Sequence, residues 1–317
     1  MEPRGDDAEQ RPAGRRMSKA SRTKHLSARQ RIAAQQEAAR RAERRNRLLL
    51  AGGAVAVVLA VVAAFALVKV LGGKPSQAQP PVSGTLLPAS VSGLVTGVPV
   101  STLAAVGAGS VPAFLRASHQ PHAFTPITGP PLISNGQPEM LYIGAEFCPY
   151  CAGMRWAMAA ALSRFGALSP LRGIHSAPSP EIYPNTATLT FYNSTYTSKY
   201  LSFVPVEHQT VDHQPLQPLT NQQERIWARY EPDPNTRGYP FIDIGNRYLA
   251  TVLFTPAALA GKTWSQIASA MQDPSTPIAR DVIGAANYLT AAICQVTGSR
   301  PASVCSAPFI TNLRGRL

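Results

Sequence analysis

Hydrophobic and polar positions divide the chain into three stretches of different character. Residues 1–47 hold no sustained apolar run. Residues 48–68 are 21 consecutive positions without a charge or a proline, and from residue 139 onward short apolar runs alternate with longer helical patterns. At 1.5 Å per residue the uncharged run reaches about 30 Å, the thickness of bilayer hydrocarbon, and its glycines Gly52 and Gly53 are tolerated in membrane helices. Residues 48–71 are therefore expected to form one transmembrane helix. A cleaved signal peptide is the rival reading. Its apolar core is normally shorter and follows a short basic start, whereas 47 residues precede this run, and Ser76-Gln77-Ala78 is only a weak cleavage site. A helix of a soluble domain is the blandest alternative, but no polar residue supplies the face it would turn to water.

After the apolar run, residues 72–110 are rich in Gly, Pro, Ser and Val and are expected to be a flexible linker, with residues 94–106 able to form a short helix on the domain. Pro112, Pro121, Pro126, Pro130 and Pro131 are expected to keep the approach irregular. The run Met140-Leu141-Tyr142-Ile143-Gly144 predicts a buried strand. Residues 152–165 predict a helix closed by Gly166. Strands are predicted at 171–176, 186–192 and 200–206. Thr220-Asn221-Gln222-Gln223 predicts a capping box that opens a helix to about Tyr230. Residues 241–244 and 247–254 read as a hairpin turning at Gly245-Asn246. Thr263-Trp264-Ser265-Gln266 opens another capped helix, and 277–296 is a long helix with Pro277 in its first turn. Strand, helix, strands, helix, hairpin, helices is an α/β order, neither all-α nor all-β.

The net charge of +13 suggests a nucleic-acid partner until it is located. Residues 1–47 carry 14 Lys/Arg against 6 Asp/Glu, whereas residues 72–317 carry 15 against 11. The basicity therefore belongs mainly to the tail. It stands directly before the apolar run, so the positive-inside rule accounts for it and no nucleic acid is expected. A basic cytoplasmic tail at 1–47 facing anionic lipid, with everything beyond residue 71 outside the cytoplasm, follows from the same asymmetry.

All four cysteines, Cys148, Cys151, Cys294 and Cys305, lie on the side expected to be oxidising. Of the three pairings that four cysteines allow, spacing favours 148 with 151 and 294 with 305. A Cys-Pro-Tyr-Cys run between a strand and a helix has a chemical rationale. The first sulfur stands at the helix N-terminus, where free N–H groups and the macrodipole favour negative charge and lower a thiol pKa. Proline suits the first turn. Cys148 would attack a substrate disulfide, and Cys151 would resolve the mixed disulfide. Zinc is the competing use. A structural site needs a second pair at suitable spacing, which Cys294 and Cys305 do not form, although His175, His208 and His213 are conceivable ligands. A disulfide between Cys294 and Cys305 is expected to pin the tail to the last long helix, with an electron relay to Cys148 and Cys151 as the alternative.

The stretch Leu141-Tyr142-Ile143-Gly144-Ala145-Glu146-Phe147-Cys148-Pro149-Tyr150-Cys151 resembles the strand, turn and helix of the thioredoxin superfamily, and its Pro-Tyr pair looks like that of glutaredoxins. Arg237-Gly238-Tyr239-Pro240-Phe241-Ile242-Asp243-Ile244 is similar to that superfamily's loop and strand, whose proline is cis and faces the dithiol. The resemblance implies an α/β thioredoxin-like sandwich over residues 111–317. It implies a cis Tyr239–Pro240 bond, with the backbone of Tyr239 receiving an extended substrate segment. Phe147-Cys148-Pro149-Tyr150-Cys151, Arg155-Trp156 and the Cys294 to Cys305 tail also resemble the domain-of-unknown-function 929 family of membrane-anchored proteins.

Departures from the thioredoxin pattern are as informative. Tyr142 stands where many thioredoxins carry a buried acid. Glu146 is an auxiliary candidate, at a position expected to be exposed. Arg155 is expected on a solvated helix face, with holding a thiolate or an acidic substrate as its alternative, and Trp156 is expected in the core. An insertion around 171–218 must form extra structure or a substrate surface before the Tyr239-Pro240 loop, and the chain continues past the hairpin as a C-terminal helical extension. The expected function is a membrane-anchored thiol–disulfide oxidoreductase without cofactor or metal. It would exchange disulfides with protein thiols and with a membrane redox partner. The alternative is a tethered binding or assembly module with a permanent disulfide.

Overall fold

The computed structural model describes residues 83–317. The basic tail, the expected membrane helix and the linker up to residue 82 lie outside the described residues. In chain order the elements are β1 (Thr85–Leu86), α1 (Ala89–Thr96), α2 (Val100–Val106), α3 (Val111–Ala117), β2 (Thr125–Pro126), β3 (Ile133–Ser134), β4 (Gln137–Gly144), α4 (Pro149–Leu162), β5 (Gly166–Ser169), β6 (Arg172–His175), β7 (Ala187–Thr190), β8 (Thr195–Ser198), β9 (Ser202–Glu207), α5 (Asn221–Tyr230), β10 (Phe241–Ile244), β11 (Tyr248–Ala250), α6 (Trp264–Ala270), α7 (Pro277–Val296), α8 (Ala302–Cys305) and α9 (Pro308–Arg314).

The apolar run before the cysteines becomes the centre of the molecule. β4 is flanked by β9, parallel, and by β10, antiparallel. β10 turns into β11, β2 closes that edge, and β3 pairs with the first residues of β4. Period-two alternation sends Met140 and Tyr142 to the larger core, with Ile242 and Ile244 and the buried faces of α4 and α7. Leu141 and Ile143 go to the other face, against Phe241 and Trp227 of α5. Helices therefore cover both faces of a mixed sheet. The capping boxes at Thr220 and Thr263 are both formed, and α7 spans Pro277–Val296 as its pattern predicts.

Of residues 171–218, expected to be an insertion, β9 belongs to the central sheet, whereas β6, β7 and β8 stand apart from it. β6 and β7 form a small antiparallel sheet with β1, and β5 pairs with β8. This sheet docks on α4: Trp156 Nε1 donates to the Ala187 carbonyl at 3.0 Å, and Thr188 Oγ1 donates to the Ala152 carbonyl at 2.7 Å. Trp156 is fully buried.

The expected linker at 72–110 requires correction from residue 83 onward. Ser83 and β1 are part of the domain, and Val91, Val95 and Leu103 of α1 and α2 lie in the larger core. The glycines that made this stretch look irregular serve a close approach instead. Gly109 (φ +54°) lets the α2–α3 turn lie on α7, where a Cβ would come within 2.0 Å of the Arg280 carbonyl oxygen. Asn287 of α7, fully buried, donates to the Leu103 and Gly107 carbonyls at 2.8 Å each. Pro112 sits in the first turn of α3, where the missing N–H costs nothing, so the expected irregularity is a helix.

Among the described residues one segment, Val100–Ala117, is long and apolar enough to cross a membrane by length and composition. The structure breaks it at Gly107 and Gly109, and α2 and α3 both pack against α7.

Candidate dithiol site

β4 ends at Gly144, and the chain passes through Ala145-Glu146-Phe147 into α4, whose N-cap is Cys148. Its sulfur accepts the Cys151 N–H at 3.1 Å, and its thiol donates to the Tyr239 carbonyl at 3.5 Å. The Tyr239–Pro240 bond is cis. Cys148 is 5% exposed, Cys151 is fully enclosed, and both are thiols. The hydrogen bonding of Cys151 to its sulfur outweighs burial and lowers the pKa of Cys148. Burial raises that of Cys151 well above the ordinary thiol value, and the hydrogen-bonded Cys148 sulfur adds to this. One sulfur is thus prepared to ionise and attack while the other keeps its proton.

Only Tyr150 of α4 escapes burial, and this corrects the expectation for Arg155. The residue is fully buried rather than solvated, because α4 is covered on all sides. Its guanidinium meets Glu207 at the end of β9 in a two-pronged pair, Nε to Oε1 at 2.9 Å and Nη2 to Oε2 at 2.6 Å, and Nη2 also donates to the Ala145 carbonyl at 2.8 Å. Glu207 also accepts the Phe191 N–H at 3.0 Å. Burial opposes the guanidinium charge, but Glu207, with Tyr142 and Cys151 behind it, outweighs burial and raises the Arg155 pKa. Among the described residues, Nη1 of Arg155 and the Tyr142 hydroxyl have no hydrogen-bond partner. The guanidinium carbon lies 6.0 Å from the centre of the Tyr142 ring.

Tyr142 packs edge-on to Phe191 at 5.4 Å, and burial raises its pKa well above the ordinary phenol value. It therefore presents no charge where a buried acid would. Glu146 is 1% exposed rather than solvated. Its carboxylate accepts from Thr190 Oγ1 at 2.7 Å and from Ser83 Oγ, and burial raises its pKa. The correction follows from β7 and the Ser83 segment, which close over this turn.

The opposite rim is aromatic. His208 Nδ1 and the Tyr239 hydroxyl lie 2.5 Å apart, Trp227 packs on Tyr239 at 5.4 Å, and His213 stacks on Phe147 at 3.9 Å. Burial lifts the Tyr239 phenol to about 12, with the two thiols adding to it, and burial lowers the His208 pKa. His175 sits elsewhere, against Trp264. Among the described residues no group of three or more His, Cys, Asp or Glu is placed to hold a metal.

Cys294 and Cys305 form a disulfide with a Cα–Cα distance of 5.5 Å, and both are buried. It lies near the C-terminal end of α7. There Val296 packs beside Gly245, whose N–H donates to the Glu139 carbonyl at 2.8 Å. That is the start of β4, whereas Cys148 lies beyond its end. At about 3.3 Å per strand residue the two sites are on the order of 20 Å apart.

A family model described as Domain of unknown function (DUF929) matches residues 123–295. The chain belongs to the DUF929 family. The matched region runs from before β2 to the last turn of α7. It includes Cys148, Cys151, Arg155, Glu207 and Tyr239, and it omits Ser83, α1, α2 and Cys305. No curated protein matches the chain. No solved structure matches it.

The structure brings together Cys148, Cys151, Tyr239 and Pro240, the residues that the motifs single out. Glu207, Ser83 and Thr190 join the site without a motif of their own. Glu207 had a signal: a lone carboxylate closing the apolar strand Phe203-Val204-Pro205-Val206, the third predicted strand after an arginine in an otherwise apolar helix. Buried charges are paired, so the two point to each other once α4 is read as enclosed.

Proposed function

We propose that this chain is a membrane-anchored, extracytoplasmic thiol–disulfide oxidoreductase with a thioredoxin-like fold, acting on protein thiols without a cofactor. The observation that carries the reading is Cys148 itself: its sulfur caps α4 and accepts the Cys151 N–H, beside the Tyr239 carbonyl. In the oxidising direction a substrate thiolate attacks the Cys148 sulfur of the Cys148–Cys151 disulfide and Cys151 leaves. A second substrate thiolate then attacks the substrate sulfur of the mixed disulfide and Cys148 leaves. The cis Tyr239–Pro240 loop would present the Tyr239 backbone to an extended substrate segment. The expected membrane helix at 48–71 supports anchoring. Its basic flank supports a cytoplasmic N-terminus, in contact with lipid and within reach of a membrane redox partner.

The test is the reduction potential of the Cys148–Cys151 pair together with turnover of a model disulfide such as insulin, with Cys148→Ser as control. A redox enzyme is expected to give a potential above about −300 mV and turnover that Cys148→Ser abolishes. A potential well below that value with no turnover refutes the enzyme and leaves the tethered binding module. A reporter active only outside the cytoplasm, fused after residue 110, is expected to be active.

A further inference from the structure

The site holds a buried cation, Arg155, whose guanidinium carbon lies 6.0 Å from the centre of the Tyr142 ring. Arg155 follows Cys151 by four positions and Cys148 by seven, so it lies one and two turns below them on the same face of α4. Glu207 holds Nε and Nη2 from β9, and the Ala145 carbonyl fixes Nη2 again. The remaining group, Nη1, is enclosed and has no partner among the described residues. Donors left unpaired in an interior are costly, so one beneath a reactive pair calls for a functional explanation.

The other titratable groups facing the sulfurs do not supply a negative charge to match. Tyr142 and Tyr239 are phenols that burial keeps protonated, and partial desolvation raises the pKa of the more open Tyr150. Glu146 is turned to Ser83 and Thr190, and Glu207 is engaged by the guanidinium and the Phe191 N–H. Arg155 favours the anionic form of both cysteines.

We propose that Arg155 is a positioning residue for the redox reaction: anchored by Glu207, its guanidinium supplies the positive charge against which Cys148 departs as a thiolate, and this makes the pair a donor of disulfides. The inference rests on the oxidoreductase reading and gives it a direction. In the step concerned a substrate thiolate attacks the substrate sulfur bonded to Cys148. The substrate S–S bond forms, the bond to Cys148 breaks, and its electron pair stays on the Cys148 sulfur. Of the two protons given up by the substrate thiols, one ends on Cys151 and one in solvent. The substrate is oxidised by two electrons, the Cys148–Cys151 pair is reduced by two, and a partner bearing a disulfide restores it. A cation beneath the pair stabilises the reduced thiolate form and has no equivalent charge to stabilise in the disulfide, so the equilibrium favours giving the disulfide away.

Two readouts on the full chain in detergent test this: the thiolate titration of Cys148 followed by ultraviolet absorbance, and the equilibrium constant with glutathione. Replacing both charges by amides, Arg155→Gln with Glu207→Gln, is expected to raise the titration midpoint by about one unit. It is expected to shift the equilibrium about tenfold toward the disulfide, about 30 mV for a two-electron couple. Glu207→Gln alone leaves the cation without its counter-charge and is expected to shift both readouts the opposite way. Arg155→Lys keeps the charge and is expected to stay within about twofold of the parent, so it decides the matter where the neutral pair does not fold. Shifts of the same sign in the two Gln variants, no shift in either, or a lysine variant displaced about tenfold toward the disulfide overturn the role of Arg155. A purely structural role predicts no reversal of sign. A parent chain that turns over insulin while these variants leave both readouts unmoved refutes this inference alone, whereas a parent inert toward thiols refutes the reading beneath it.

Discussion

Individual side chains in the sheet behind the dithiol are fitted to one another closely enough to give sharp expectations. Tyr142 and Gly144 lie on the same face of β4, and a Cβ at residue 144 would fall 2.0 Å from the Tyr142 hydroxyl oxygen. Gly144→Ala is therefore expected to destabilise the fold by about 1–3 kcal/mol, the usual cost of overpacking. Tyr142→Phe removes a buried hydroxyl that has no partner and is expected to be neutral or slightly stabilising. The same Cβ would fall 2.3 Å from Cζ of the ring, which phenylalanine keeps, so the double variant is expected to be about as destabilised as Gly144→Ala alone, which denaturant melts of the four forms would check. Asp243 of β10 gives a pH dependence. It is fully buried, one carboxylate oxygen has no partner, and burial raises its pKa to about 6, with Glu139 adding to the effect. The folded chain then holds this proton more tightly than the unfolded chain, so unfolding releases a proton between about pH 4 and pH 6. Stability is expected to fall as pH rises through that window, by on the order of 2–3 kcal/mol. Asp243→Asn is expected to remove this fall and to stabilise the protein at pH 7. Denaturant melts at pH 4.5 and pH 7 that show no difference between parent and variant would contradict it.

At the scale of elements, the last disulfide ties the C-terminal helices to α7 and is expected to serve stability alone. Cys294 and Cys305 are 11 positions apart and tie α8 and α9 to the end of α7. Closing a loop of this length is worth about 3 kcal/mol in the chain-entropy account. Cys294→Ser with Cys305→Ser is thus expected to lower the unfolding free energy by about that amount while leaving the potential of the Cys148–Cys151 pair unchanged. A displaced potential would restore the relay that the separation along β4 argues against. Elements that carry their own local signal were legible in the sequence: β4 as an unbroken apolar run, α5 and α6 through their capping boxes, α7 through its length and Pro277, and the β10–β11 turn through Gly245-Asn246. Elements whose stability comes from distant partners were not. β5 and β8 pair with each other across 25 or more residues and lack strong alternation. α1 and α2 are short, carry Gly93 and Gly97, and acquire their order from α7 and α6. The same division holds for the site. Cys148 and Cys151 announce themselves by spacing, and Pro240 by the resemblance of its loop to the thioredoxin superfamily's. The burial of Arg155 and Glu146 depends on β7, β9 and Ser83, which no local window contains.

The dependence of α1 and α2 on distant partners decides where the molecule begins. Burying Val91, Val95 and Leu103 is worth roughly 1.5–3 kcal/mol for each side chain, an upper estimate because the unfolded chain is partly collapsed. The sum is comparable with the whole stability of an ordinary domain, 5–15 kcal/mol. The same stretch supplies β1 to the sheet that covers α4, and Ser83 to the Glu146 carboxylate two residues before Cys148. A fragment of residues 79–317, which keeps every described element, is expected to unfold in one cooperative transition. A fragment of residues 111–317, which follows the boundary expected from sequence, leaves the α7 surface around Asn287 uncovered and the Leu103 and Gly107 carbonyls absent from its side-chain amide. It is expected to lose cooperative unfolding and to aggregate. Thermal melts followed by near-ultraviolet circular dichroism separate the two outcomes. If the shorter fragment melted cooperatively at the same temperature, α1 and α2 would be an appendage, and the closure of the Glu146 side of the dithiol would have to come from β7 alone.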